Sequence, residues 1–167
     1  MKRIVVILIA LIVATNVNAQ ENSQSEDLNA RIDSLTTQLN QLQHDFDFLD
    51  CQYKIDNLSN NISELSMSLE LKSNSIAVKS YHGGYFAALY EAYERYYALN
   101  IERLNTLKSN VEQLKGLLFL KLFTSNFTEK ERELLKSSMN VLDKNVSSAE
   151  ASLSLFKVAL DRYKSLD

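Results

Sequence analysis

Apolar residues recur along this chain at alternating spacings of four and three, the period of helices that pack lengthwise on one another. From Glu26 onward, a first series contains Leu28, Ile32, Leu35, Leu39, Leu42, Phe46 and Leu49. A second series begins before the first has ended and contains Phe48, Cys51, Ile55, Leu58, Ile62, Leu65, Leu69, Lys72 and Ile76. The two series are offset by two residues, which at ~100° per residue turns the apolar stripe by ~200°. The two halves of this first helix are therefore expected to face different partners, unless the chain breaks between His44 and Asp50.

A glycine pair and a capping signal divide the rest of the chain into two further helices. Gly83-Gly84 favours a helix end, because glycine accepts the left-handed conformation that closes helices. The next apolar series runs from Phe86 to Leu118, and Thr128 followed by Glu131 predicts a capping box at the start of the last helix. The last seam contains Leu135, Met139, Leu142, Val146, Ala149, Leu153, Phe156, Leu160 and Tyr163. We predict helices over about 26–81, 85–125 and 128–166.

These three helices predict an all-α fold, an antiparallel three-helix coiled-coil bundle with a longer first helix whose N-terminal part overhangs. The first predicted helix is ~80 Å long and the other two are ~60 Å each, from the rise of ~1.5 Å per residue. The overhang coincides with much of the rotated stripe, and an exposed row of leucines is an aggregation liability unless something covers it. We therefore predict a homodimer that forms through the N-terminal seam, defined here as Leu28, Ile32, Leu35, Leu39 and Leu42.

The first 19 residues have the features of a secretory signal peptide. Lys2 and Arg3 precede an apolar run from Ile4 to Ala14, and Ala19 is a small residue suited to cleavage. That run makes only ~16 Å of helix against a ~30 Å hydrocarbon core, so a retained membrane anchor is the weaker alternative. We predict cleavage after Ala19, a flexible N-terminus over 20–25 and a single helical domain over 26–167. The protein is then exported, periplasmic or secreted, and no membrane contact is expected after cleavage.

Charge and cysteine content narrow the possible partners. The net charge is −3, and removal of Lys2 and Arg3 with the signal leaves −5, a mildly acidic chain without the basic face of a nucleic-acid binder. The single cysteine, Cys51, cannot form an internal disulfide, which leaves a free thiol or a disulfide between chains. Because Cys51 lies on the second apolar stripe, we favour a buried thiol and keep the intermolecular disulfide as the alternative.

A tyrosine-rich stretch follows the glycine pair. Tyr90, Tyr93 and Tyr97 have the spacing of core residues and are expected to pack. Tyr85 and Tyr96 lie off that stripe and are the candidates for ligand contact, because tyrosine offers a large amphipathic contact area. A ligand-binding bundle that uses this tyrosine-rich corner is therefore an alternative function.

One apolar segment and two polar residues of the apolar series each allow two interpretations. The segment from Leu117 to Phe123 is apolar almost all round, which favours burial at a corner of the bundle and leaves a membrane-active helical protein as an alternative. Lys72 occupies a seam position, and its long stem favours a place at the edge of the bundle. Asn100 occupies another seam position, where a polar residue either fixes the register of the helices or lies at the edge of the bundle.

The sequence gives no support for catalysis. Neither His44 nor His82 has the paired spacing of a metal-binding helix, and the glycines form no phosphate-binding loop. We predict no enzymatic activity, no cofactor and no metal site. The expected function is that of an exported coiled-coil structural or protein-interaction module. Its expected partner is a protein, and the module is expected to self-associate.

Overall fold

The protein forms three helices in a computed structural model that describes residues 23–82 and 86–166. Helix α1 spans Ser23–His82, α2 spans Ala87–Thr124 and α3 spans Glu129–Lys164, with lengths of 60, 38 and 36 residues. Within these two described ranges there is no strand. The prediction of an all-α, three-helix fold with a longer first helix is confirmed.

Three sequence predictions concern residues that lie outside the described ranges. The signal peptide over 1–19 and the glycine pair at 83–84 are not described, and the same holds for Tyr85. Of the N-terminus predicted to be flexible over 20–25, the residues from Ser23 onward belong to α1, which begins slightly before the predicted Glu26.

The chain divides into two compact units, one that ends at Gln43 and one that begins at His44. The division falls a few residues before Phe48 and Leu49, where the two apolar series of the first helix overlap. In the first unit, the described residues are the α1 segment Ser23–Gln43. The second unit contains the remainder of α1 together with α2 and α3.

Contacts between side chains in the second unit give the directions of its helices. Asp47 near the start of this part of α1 contacts Lys121 near the end of α2, whereas Ser68 further along α1 contacts Tyr96 near the start of α2. These two helices are therefore antiparallel. Helices α2 and α3 are antiparallel as well, because Lys108 contacts Glu150 whereas Lys115, later in α2, contacts Asp143, earlier in α3.

The core of the second unit is built on the second apolar series, as the offset in α1 predicts. Its buried members in α1 are Cys51, Ile55, Ile62, Leu65, Leu69 and Ile76. Phe46 and Leu49, which continue the first series, are exposed. The ~200° rotation of the apolar stripe is thus confirmed in this unit. Lys72 is exposed, with its Nζ 5.8 Å from the centroid of the Tyr96 ring, so it lies at the edge of the bundle.

The contact between α1 and α3 includes two polar pairs beside its apolar core. Ser66 and Ser152 are buried, and their hydroxyl oxygens lie 2.9 Å apart. The Asn145 amide donates to the Ser59 hydroxyl at 2.6 Å. Small hydroxyl side chains let two helices approach closely, and a hydrogen-bonded polar pair favours one register over its neighbours. Ser152 is absent from the predicted seam of α3, so apolar spacing alone missed this pair.

The α2–α3 corner is held by the predicted capping box and by an arginine that sequence analysis missed. The Glu131 backbone N–H donates to Thr128 Oγ1 at 3.3 Å, and the Thr128 backbone N–H donates to Glu131 Oε2 at 2.8 Å, which confirms the capping box. The Arg132 guanidinium donates to the carbonyl oxygens of Leu122, Ser125 and Phe127. Leu122 lies in the last turn of α2, where carbonyl oxygens lack helical partners, and Ser125 and Phe127 lie in the connection to α3. Arg132 therefore joins the end of α2 to that connection.

Candidate interaction surfaces

The N-terminal seam lies in the first unit and is only partly covered. Leu28 and Ile32 are half-buried, whereas Leu35, Leu39 and Leu42 are exposed to 54%, 37% and 66%. Three leucines at four- and three-residue spacing form one apolar face of a helix. The described residues of the first unit therefore present an apolar helix face to solvent.

A second exposed apolar face lies on α1 within the second unit. Phe46, Leu49 and Tyr53 are all exposed, and we call them the outward stripe. Each of them comes two residues before a member of the second apolar series, which builds the core; these members are Phe48, Cys51 and Ile55, in the same order. The two sets therefore lie on nearly opposite faces of α1. Tyr53 continues the first series at the expected spacing of four after Leu49. The sequence contained this signal, but the predicted interface ended at Leu42.

The third exposed apolar set lies near the end of α2. Leu117, Phe119, Leu120 and Phe123 are exposed, and we call them the corner patch. Leu118 is buried and Leu122 half-buried, so the expectation that the whole segment from Leu117 to Phe123 is buried was wrong. A helix in a three-helix bundle turns only one stripe towards its neighbours, and the corner patch lies outside that stripe. The rings of Phe119 and Phe123 pack edge to face with their centroids 4.7 Å apart.

The candidate cysteine is buried in the core of the second unit. Cys51 is 4% exposed and forms no disulfide in this structure of a single chain. Burial raises the pKa of its thiol, because desolvation disfavours the thiolate. Since the thiolate is the reactive form, this environment disfavours disulfide exchange in the folded protein.

The tyrosine predictions divide between the core and a groove. Tyr90 and Tyr93 are buried and Tyr97 is half-buried with its ring stacked on Phe156, so the packing role predicted for all three is confirmed. Tyr96, the candidate ligand contact, is half-buried, and its hydroxyl lies 2.6 Å from the Ser68 hydroxyl. It lines an open groove of about 490 Å³ together with Ser68, Leu99, Asn100, Glu102, Arg103 and Thr106.

Asn100, whose role sequence analysis left open, is buried at the floor of that groove. It is 4% exposed, and its amide donates to the backbone carbonyl of Tyr96 at 2.6 Å. This bond is made within α2, one turn back along the helix. Among residues 23–82 and 86–166, Asn100 thus has a local partner and no hydrogen bond to another helix.

His44 connects the start of the second unit to the capping box of α3. Its Nε2 lies 3.2 Å from Glu131 Oε2 and its Nδ1 lies 3.1 Å from Asp45 Oδ1. Its ring also meets the buried Phe127 edge to face at 5.9 Å. The hydrogen bond to Asp45 is the first cause that raises the pKa of His44 above its ordinary value, and the charge of Glu131 adds to it. The hydrogen bonds from Thr128, followed by His44, hold the pKa of Glu131 below its ordinary value.

We expect His44→Gln to remove a pH-dependent part of the stability of the second unit. Because the pKa of His44 is raised on folding, its stabilising contribution is complete below about pH 6.5, the unfolded value, and is lost as the pH rises through the folded value. Urea unfolding midpoints of the parent and the variant should differ at pH 5.5 and converge at pH 9. An equal difference at both values would contradict the proposed ion pair.

Neither a membrane span nor a metal site is found in the described part of the chain. No helix there combines the length and the apolar character that crossing a membrane requires. In residues 23–82 and 86–166 no three or more histidine, cysteine or acidic side chains come together in a group able to hold a metal ion.

Comparison with protein-family models, with curated proteins and with solved structures found no match for this chain.

Proposed function

We propose that this protein is an exported coiled-coil interaction module that self-associates through the N-terminal seam. The observation that supports this proposal best is the exposure of Leu35, Leu39 and Leu42 on one face of α1. The spacing of these residues is that of a coiled-coil seam, in which each apolar side chain fits between side chains of a facing helix. A second copy of the chain carries the same face and is always present at the same concentration.

The energy available from these three leucines alone is modest. Full burial of a leucine contributes about 1.5–3 kcal/mol, and a side chain that is already half-covered gains about half of that. Three leucines from each of two copies therefore contribute roughly 5–9 kcal/mol, against an association cost of about 4–15 kcal/mol. The two ranges overlap and leave no clear surplus, so we expect a stable dimer to use further contacts beyond these three residues.

Light scattering on a sizing column tests the proposal directly. The protein is recovered from an exporting host, and its intact mass first reports whether residues 1–19 have been removed. We expect the mass of a dimer both with and without reductant, because the buried Cys51 is not needed to link the chains. A dimer lost on reduction would instead identify Cys51 as the link, and a monomer in both buffers would refute self-association.

The corner patch supports a second candidate function, contact with a lipid interface. Exposed phenylalanine and leucine side chains on a helix insert into the boundary between head groups and acyl chains. Co-sedimentation with anionic liposomes, compared between the parent and Phe119→Ser/Phe123→Ser, tests this candidate. Failure of the parent protein to sediment with liposomes would remove it.

A further inference from the structure

We infer that two copies of α1 pair antiparallel, so that the N-terminal seam of one copy packs on the outward stripe of the other. This inference rests on the proposed self-association and assigns its orientation and its second contact surface. The outward stripe supplies the further contacts that the three exposed leucines lack. Phe46, Leu49 and Tyr53 are each more than half exposed, at 54%, 61% and 69%.

The spacing of the two surfaces is self-complementary when the helices run in opposite directions. If the twofold axis passes between Asn40 and Gln41, each core residue of one copy faces a core residue of the other. The facing pairs are Leu39 with Leu42, Leu35 with Phe46, Ile32 with Leu49, and Leu28 with Tyr53. A twofold interface requires this reciprocity, in which the same surface serves both copies.

The sizes of the side chains favour this orientation over a parallel pair. In a parallel pair each core layer contains the same residue twice, so two Phe46 rings would share one layer and two Tyr53 rings another. Parallel two-stranded coils favour β-branched residues at the first core position of each heptad. Here those positions hold Ile32, Leu39, Phe46 and Tyr53, of which only isoleucine is β-branched. The antiparallel pair places each aromatic ring opposite a leucine instead.

The charges that flank the core also distinguish the two orientations. In a parallel pair the position before Phe46 faces the position after Leu49 of the other copy, so Asp45 meets Asp50 twice in each dimer. Charges at these flanking positions set the orientation of coiled coils, and like charges there oppose pairing. In the antiparallel register the facing pairs are Arg31 with Gln52, Gln38 with Asp45, Asn29 with Asp50, and Thr36 with Gln43. None of these pairs brings like charges together.

Distances between spin labels on the two copies test the orientation. Labels are attached at Asp33→Cys or at Asn40→Cys, each in a Cys51→Ala background, and the dimer is measured by pulsed electron resonance. Both residues are exposed and occupy equivalent heptad positions on α1. In the antiparallel pair the two labels at position 33 are offset along the axis by ~22 Å and those at position 40 by ~2 Å, from the rise of ~1.5 Å per residue. The measured distance combines this axial offset with the lateral separation of the two labels, which is the same at both positions. We therefore expect the distance at position 33 to exceed that at position 40 by roughly 10 Å, less than the difference between the axial offsets.

Each other outcome refutes a defined part of the proposal. Equal distances at the two positions would overturn the antiparallel pairing and leave self-association through α1 intact. A dimer with both distances beyond the measurable range would place the interface elsewhere and overturn both proposals. The solution mass of each labelled protein is measured in parallel, and a monomeric unlabelled Cys51→Ala protein would likewise overturn both.

Discussion

The double variant Leu39→Glu/Leu42→Glu is expected to be a monomer at concentrations where the parent protein is a dimer. These two positions lie beside the proposed twofold axis, so each dimer would have to bury four carboxylates without partners. Burying a charge without a partner costs several kcal/mol, and each 1.4 kcal/mol is a factor of ten in affinity. We expect the dissociation constant to rise at least ~100-fold, measured by light scattering over a concentration series.

A matched control separates this effect from a general effect of surface charge. Leu71→Glu/Leu155→Glu adds the same two charges at exposed leucines outside the proposed interface. Glutamate and leucine have similar helix propensities, so neither variant should lose helical circular dichroism. We expect the control to remain a dimer. If the Leu39/Leu42 variant also stays a dimer, the N-terminal seam is not the self-association surface.

The variant Phe156→Ala is expected to lose about 3–5 kcal/mol of unfolding free energy, the usual cost of deleting a buried phenylalanine. Phe156 is 0% exposed, and its ring packs against Tyr93, Tyr96 and Tyr97 at centroid distances of 6.5, 5.6 and 6.0 Å. Because domains of this size are stable by only about 5–15 kcal/mol, the loss should lower the urea midpoint strongly. Circular dichroism at a helical wavelength measures that midpoint.

The control for this prediction is Phe123→Ala. Phe123 is 72% exposed in the corner patch, so the same chemical change there should alter the unfolding free energy by no more than about 0.5 kcal/mol. Similar losses of unfolding free energy in the two variants would contradict the placement of Phe156 in the core of the second unit. The comparison also reports whether the corner patch contributes to the fold of the second unit.

The surfaces described above could be predicted from the sequence only in part. The offset between the two apolar series predicted that Phe46 and Leu49 lie on a different face of α1 from the core residues of the second unit. That inference succeeds because the angle between two residues on one helix depends on their separation alone. The spacing in the sequence already placed Tyr53 on the first series, but its exposure followed only from the structure, which buries the second series in the core. The corner patch was wrongly predicted to be buried, because an apolar run does not show how many helices pack around it.

By itself the sequence determined the features that depend on neighbours along the chain. These are the three helices, the capping box of Thr128 with Glu131, and the apolar stripes, all of which follow from local geometry and hydrogen bonding within a few turns. The tertiary structure alone decided which distant groups meet. It brought Ser66 to Ser152, His44 to Glu131, and the Tyr163 hydroxyl to the Phe86 backbone N–H just before the first residue of α2. Such contacts depend on the register of packed helices, and helical periodicity fixes the face of a residue but not its partner across a bundle.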